Sequence, residues 1–146
     1  MKSVRYPLTV FYDASCPMCA DEMLTLKQRD RGARLELVDC SAPGFDHDVL
    51  AGTGITRRDL MERIHARDAH GRWLVAVDAI EAAYRAAGLE RAARIWGAPG
   101  LRPLLDPLYR WVARRRQLLS RLGAGGLVRR FIGRLASPAD ESSRSR

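Results

Sequence analysis

Hydrophobic and polar positions along the chain follow two rhythms in turn. Leu8 to Tyr12 (LTVFY) is a short apolar run bounded by Pro7 and Asp13, the pattern of a strand buried on both faces. From Pro17 the spacing becomes helical: Cys19, Met23 and Leu26 recur on one side, Asp21 and Glu22 fall in the early turns, Lys27 and Arg29 come late, and Gly32 lies beyond the end. Leu35 to Cys40 alternates as a second strand, and SAPGFDHD after it reads as loop. Thr56 with Asp59 three residues later predicts a capping box for a short helix carrying Leu60 and Ile64. Ile64 to Val77 reads as a hairpin turning at Ala69, His70 and Gly71, with Trp73, Val75 and Val77 alternating in its second arm. Asp78 is placed to cap a helix running to about Ala87, which Gly88 ends.

The order β, α, β, α, β, β, α is that of a thioredoxin-like α/β fold, a small mixed sheet flanked by helices, with a right-handed first crossover. After Gly97-Ala98-Pro99-Gly100 the pattern is helical only. Leu101, Leu104, Leu105, Leu108, Trp111 and Val112 form a stripe that resumes at Leu118, Leu119 and Leu122, and so many large apolar residues call for burial. Gly123-Ala124-Gly125-Gly126 reads as a hinge before a second amphipathic piece, Leu127 to Leu135, and Ser137 to Arg146 reads as disordered. The expected division is a domain over 1–122 and a basic helix with its tail over 123–146.

Composition changes this picture mainly through charge. Residues 1–101 carry 14 Lys and Arg against 14 acids, whereas 102–146 carry 11 Arg against 3, so the whole net charge of +8 belongs to the helical extension. Such helices can cover a sheet with Arg in solvent, or meet an anionic membrane or a protein partner; no nucleic-acid motif is present. No stretch approaches the roughly 20 apolar residues of a membrane span, and the N-terminus lacks a signal-peptide pattern, so the expected compartment is the cytoplasm.

Three cysteines in a reducing compartment point to redox or metal chemistry. Pro17 suits the first helical position, which makes Cys16 the cap residue. Its sulfur then faces the free N–H groups of Met18 and Cys19 and the positive end of the helix, an arrangement that favours thiolate and makes Cys16 the attacking thiol. Cys19, one turn on and less accessible, is the resolving thiol. The same Cys-x-x-Cys spacing is also half of a zinc site, with Cys40, if it comes close, as third thiolate and a water or Asp39 as fourth ligand. Cys40 otherwise reads as a small buried apolar residue. Asp13 either takes part in proton transfer to or from Cys19, holds the loop through backbone N–H groups, or closes an ordinary Asx-turn. His47, His65 and His70 lack metal-ligand spacing.

Phe11-Tyr12-Asp13-Ala14-Ser15-Cys16-Pro17-Met18-Cys19 resembles the entry motif of the DCC family of thiol-disulfide oxidoreductases, Tyr-Asp-Gly-x-Cys-Pro-x-Cys. Arg29-Asp30, Val38-Asp39, His65 with Asp68 and Gly71, Asp78-Ala79 and Leu108-Tyr109-Arg110 extend the likeness over roughly residues 6 to 120. The resemblance implies a thioredoxin-like fold and dithiol-disulfide exchange. It also implies Cys16 as nucleophile, Cys19 as resolving thiol and Asp13 at the same site. The pair at a strand-to-helix junction leads us to expect exchange with a protein or low-molecular-weight thiol or disulfide and no cofactor beyond the cysteines. Ala14 and Ala76 stand where the family carries Gly, and Met61 to Ile64 lacks the proline that thioredoxins place before the third strand.

Overall fold

The computed structural model of the protein describes residues 4–135. Its first unit is β1 (Leu8–Tyr12), α1 (Pro17–Arg29) and β2 (Leu35–Asp39), with β2 parallel to β1. After a short 3-10 turn at His47–Leu50 come α2 (Arg57–Glu62), the hairpin β3 (His65–Arg67) and β4 (Trp73–Val75), and then α3 (Val77–Ala86). β3 runs antiparallel to β1, which gives the strand order β2-β1-β3-β4. The chain is therefore a mixed four-stranded α/β fold of thioredoxin-like arrangement.

Central β1 separates two cores because its side chains alternate across the sheet. Leu8 and Val10 pack with Met23 and Leu26 of α1 and with the apolar side of α3, while Phe11 points to the opposite face, against Leu60, Phe45, Leu50 and Cys40. The local signals act as the sequence suggests. Thr56 and Asp59 close a reciprocal capping box on α2. Asp68 accepts the N–H groups of His70 and Arg72 in the hairpin turn, where Gly71 takes φ +81°.

Several expectations change. α3 begins at Val77, so Asp78 lies in its first turn and pairs with Arg102 instead of capping the helix. The cap residue is Ala76, at φ 54° and ψ −121°. A further helix, α4 (Glu90–Trp96), fills the stretch before the Gly-Pro break, and Ala92 and Ala93 are buried in the main core. Its small residues carry little helical signal.

The extension forms α5 (Arg102–Arg121) and α6 (Ala124–Leu135). Only Gly123, at φ +80°, makes the turn; Gly125 and Gly126 are already helical, so the expected hinge is one residue wide. A Cβ at Gly125 would stand 2.8 Å from the Asp21 carboxylate, and its absence lets α6 lie close along α1, with Ile132 fully buried in the main core. The burial expected of the α5 stripe is not found, since α5 has no buried residue. The disorder expected of Ser137 to Arg146 falls outside the described residues.

Ala76 holds a conformation suited to glycine because its backbone is fixed on both sides: its N–H donates to the Ile64 carbonyl at 2.9 Å and its carbonyl accepts from Ile80 at 3.0 Å. Ala76→Gly is accordingly expected to stabilise the protein by about 1 kcal/mol, the relief of strain exceeding the added entropy of the unfolded chain. Urea unfolding checks this; an unchanged or lower midpoint would contradict it.

Candidate active site

Two carboxylates at neighbouring strand ends shape the loop that carries the first cysteine. Asp13, buried at the end of β1, accepts the N–H of Ser15 at 3.0 Å and the Ser15 hydroxyl through Oδ1. Asp39, at the end of β2, accepts the N–H of Ala14 at 3.2 Å and of Ser41 at 2.8 Å. The chain thus enters α1 in a fixed direction, with Cys16 at φ −93° and ψ 107° in the cap position and Pro17 following.

The Cys16 sulfur accepts the N–H of Cys19 at 3.4 Å and the Cys19 thiol at 2.7 Å. The second backbone donor expected from the sequence is directed elsewhere: Met18 N–H donates to Ser120 Oγ at 3.1 Å, and that oxygen lies 3.6 Å from the Cys16 sulfur. The Cys19 thiol above all, then the Cys19 N–H, Ser120 and the charge of Arg116, outweigh burial and lower the Cys16 thiol to about 6. The same hydrogen bond, with burial and the neighbouring negative sulfur, drives Cys19 upward and keeps its proton in place.

Access is the reverse of what the sequence suggests. Cys16 is 0% exposed, while Cys19 is only partly buried. The cover is α5, fastened by polar contacts spaced along its length. Tyr109 accepts the N–H of Ile64, just before β3, at 2.9 Å; Arg116 pairs with Asp13 at 2.9 Å and donates to the Met61 carbonyl; Ser120 lies over Cys16. Half-buried beside Ile64, Tyr109 is pushed up to about 12, chiefly by loss of solvent.

Beside the pair, α1 and α5 enclose a mostly apolar cavity of about 200 Å³, lined among others by Met18, Cys19, Glu22, Ile64 and Val112. Glu22, one turn after Cys19, accepts the Tyr84 hydroxyl at 2.8 Å, and burial raises its carboxyl above the usual range. The structure therefore brings Asp13, Cys16 and Cys19 together and adds Glu22, Tyr109, Arg116 and Ser120. Glu22 has a local signal, since positions 19 and 22 share a helical face. The three α5 residues have none.

Cys40 is elsewhere, fully buried with Phe11 and Leu60, and burial pushes its thiol up to about 12. Among the described residues no three His, Cys, Asp or Glu side chains are grouped to hold a metal ion, so the zinc arrangement of Cys16, Cys19 and Cys40 is not assembled. Nor is any described helix long and apolar enough to cross a membrane. The model of the DCC1-like thiol-disulfide oxidoreductases matches residues 10–122 of the chain. No curated protein and no solved structure matches it.

Two measurements separate acidity from access. Thiolate absorbance of the reduced protein is expected to rise with pH through a midpoint near 6, with about nine-tenths of one thiolate formed by pH 7, and this step disappears in Cys16→Ser. At a pH well above that midpoint, alkylation of Cys16 reports access alone. Arg116→Gln, which loses the Asp13 pair, is expected to speed it at least about threefold, and an unchanged rate would show that α5 does not limit access.

Proposed function

The chain belongs to the DCC1-like thiol-disulfide oxidoreductase family, matched over residues 10–122, and we propose that its oxidoreductase activity runs through Cys16 as attacking thiol and Cys19 as resolving thiol. The observation that carries this reading is the thiol lowered to about 6 at the cap of α1, with a protonated partner thiol 2.7 Å away. At neutral pH Cys16 is already charged, which is the form that attacks.

The Cys16 thiolate attacks one sulfur of a protein or low-molecular-weight disulfide. A Cys16–substrate bond forms, the substrate S–S bond breaks, and the departing thiolate takes a proton from solvent. This removes two of the influences that hold the proton on Cys19, the hydrogen bond to the Cys16 sulfur and its negative charge, and leaves burial. Cys19 then becomes acidic enough to lose its proton, and Glu22, one helical turn on and facing the same cavity, is the acceptor in this scheme. The Cys19 thiolate attacks Cys16 Sγ, closing the Cys16–Cys19 disulfide and releasing the second substrate thiol with that proton. Two electrons pass from the dithiol to the substrate, and the reverse sequence oxidises a dithiol.

Asp13 acts as an anchor in this scheme. Its Oδ1 is committed to Ser15 and its Oδ2 to Arg116, so it holds the cysteine loop and the α5 cover in register, and proton movement falls to Glu22. Attack also requires the Ser120 end of α5 to withdraw from Cys16, which makes opening of that helix part of the cycle.

Cys16→Ser is expected to abolish reduction of a disulfide substrate, and Cys19→Ser to accumulate mixed disulfides through Cys16; full activity of Cys16→Ser would overturn the assignment. A thiol near 6 favours the reduced form more than the ~7 of thioredoxin and less than the ~3.5 of a strong oxidant. The reduction potential is therefore expected between about −270 and about −120 mV. Equilibration with glutathione measures it.

A further inference from the structure

Of the ten large apolar side chains exposed among the described residues, eight lie between Leu101 and Phe131, so the outer surface of α5 and α6 holds nearly all of the chain's apolar exposure. On α5 and at its end Leu104 (68%), Leu108 (53%), Trp111 (50%), Leu118 (50%) and Leu122 (76%) follow steps of three, four and seven, which is one continuous stripe. The step missing between Trp111 and Leu118 is Arg115, whose guanidinium lies 5.8 Å from the centre of the Trp111 ring. α6 continues the apolar surface with Leu127 and Phe131.

The charge on the same two helices is one-sided. Residues 101–135 contain nine Arg and a single acid, Asp106. Two of the nine are held in ion pairs, Arg102 with Asp78 and Arg116 with Asp13, and the remaining seven are exposed.

From this juxtaposition we infer that the outer face of α5 and α6 docks on an anionic lipid surface, with Leu104, Trp111, Leu118 and Phe131 entering the headgroup–acyl boundary and the flanking arginines meeting lipid phosphates. A bilayer interface satisfies both features at once, since it takes up apolar side chains beside guanidinium groups that fork onto phosphate oxygens. A second copy would set seven exposed arginines against seven, and a nucleic acid would neutralise the arginines while leaving the leucines and the tryptophan in water. The helices lie on the surface and do not cross it, because arginines interrupt every apolar stretch.

Sedimentation of the full chain with vesicles tests the inference. Binding is expected to phosphatidylcholine vesicles containing about one-third phosphatidylglycerol and to be at least about tenfold weaker on phosphatidylcholine alone. It should weaken as salt rises from about 0.1 to about 0.5 M. Trp111 emission should shift to the blue on binding, a change lost in Trp111→Phe. Leu104→Gln/Trp111→Gln should lower binding about tenfold at constant charge, with circular dichroism and the Cys16 thiolate titration showing that the fold and site are retained. Three results would overturn the inference: no binding of the folded protein to anionic vesicles, binding undiminished in the double variant, or a dimer in solution that the double variant disperses.

Discussion

A sulfur withdrawn from water carries negative charge only if protein groups replace the hydration it loses. In this chain that replacement is mainly one bond, from the Cys19 thiol to Cys16, supported by the Cys19 N–H, the Ser120 hydroxyl and the Arg116 charge. Much of the structure serves the geometry of that bond. β1 delivers the loop, Asp13 and Asp39 fix its course, Pro17 starts α1 so that the two sulfurs sit one turn apart, and α5 brings its serine and arginine from a hundred residues away. The same bond makes the two thiols unequal, because whatever favours the charge on Cys16 also retains the proton on Cys19.

Apolar burial and polar fastening divide the work. The sheet, α1, α3, α4 and part of α6 form a conventional interior in which Leu8, Met23, Leu26, Tyr84 and Ile132 have almost no contact with solvent. α5 contributes no buried residue and is secured at separate polar points, among them the pair between Arg116 and buried Asp13. Removing either partner of such a pair leaves a desolvated charge, so the contact matters more to the position of the helix than to its net stability. A helix held this way can release without disturbing the core beneath it.

Features set by neighbouring residues were legible in the sequence. β1, α1 with Cys16 as its cap, the Thr56–Asp59 box and the hairpin around Gly71 rest on contacts a few residues apart, and each follows from spacing, capping or turn chemistry. α4 was not legible because Ala92 and Ala93 carry little periodic signal, and the hinge was overestimated because Gly125 serves close packing against α1 instead of flexibility. The apolar stripe of α5 was visible, but spacing alone does not say whether a stripe meets the core or faces outward. Ser120, Tyr109 and Arg116 reach the site only through the tertiary fold, whereas Glu22, on the same helical face as Cys19, was within reach of a local argument.

The seal over Cys16 bears on how such a site survives an oxidising challenge. A thiolate in open water is what peroxide converts first to sulfenic acid and then, irreversibly, to the higher acids. Here the resting sulfur is charged yet 0% exposed, so acidity and vulnerability, which ordinarily rise together, are uncoupled. Damage is then governed by how often α5 opens and for how long. In the proposed cycle a disulfide bound while the helix is open consumes the thiolate productively, and an idle molecule keeps it intact.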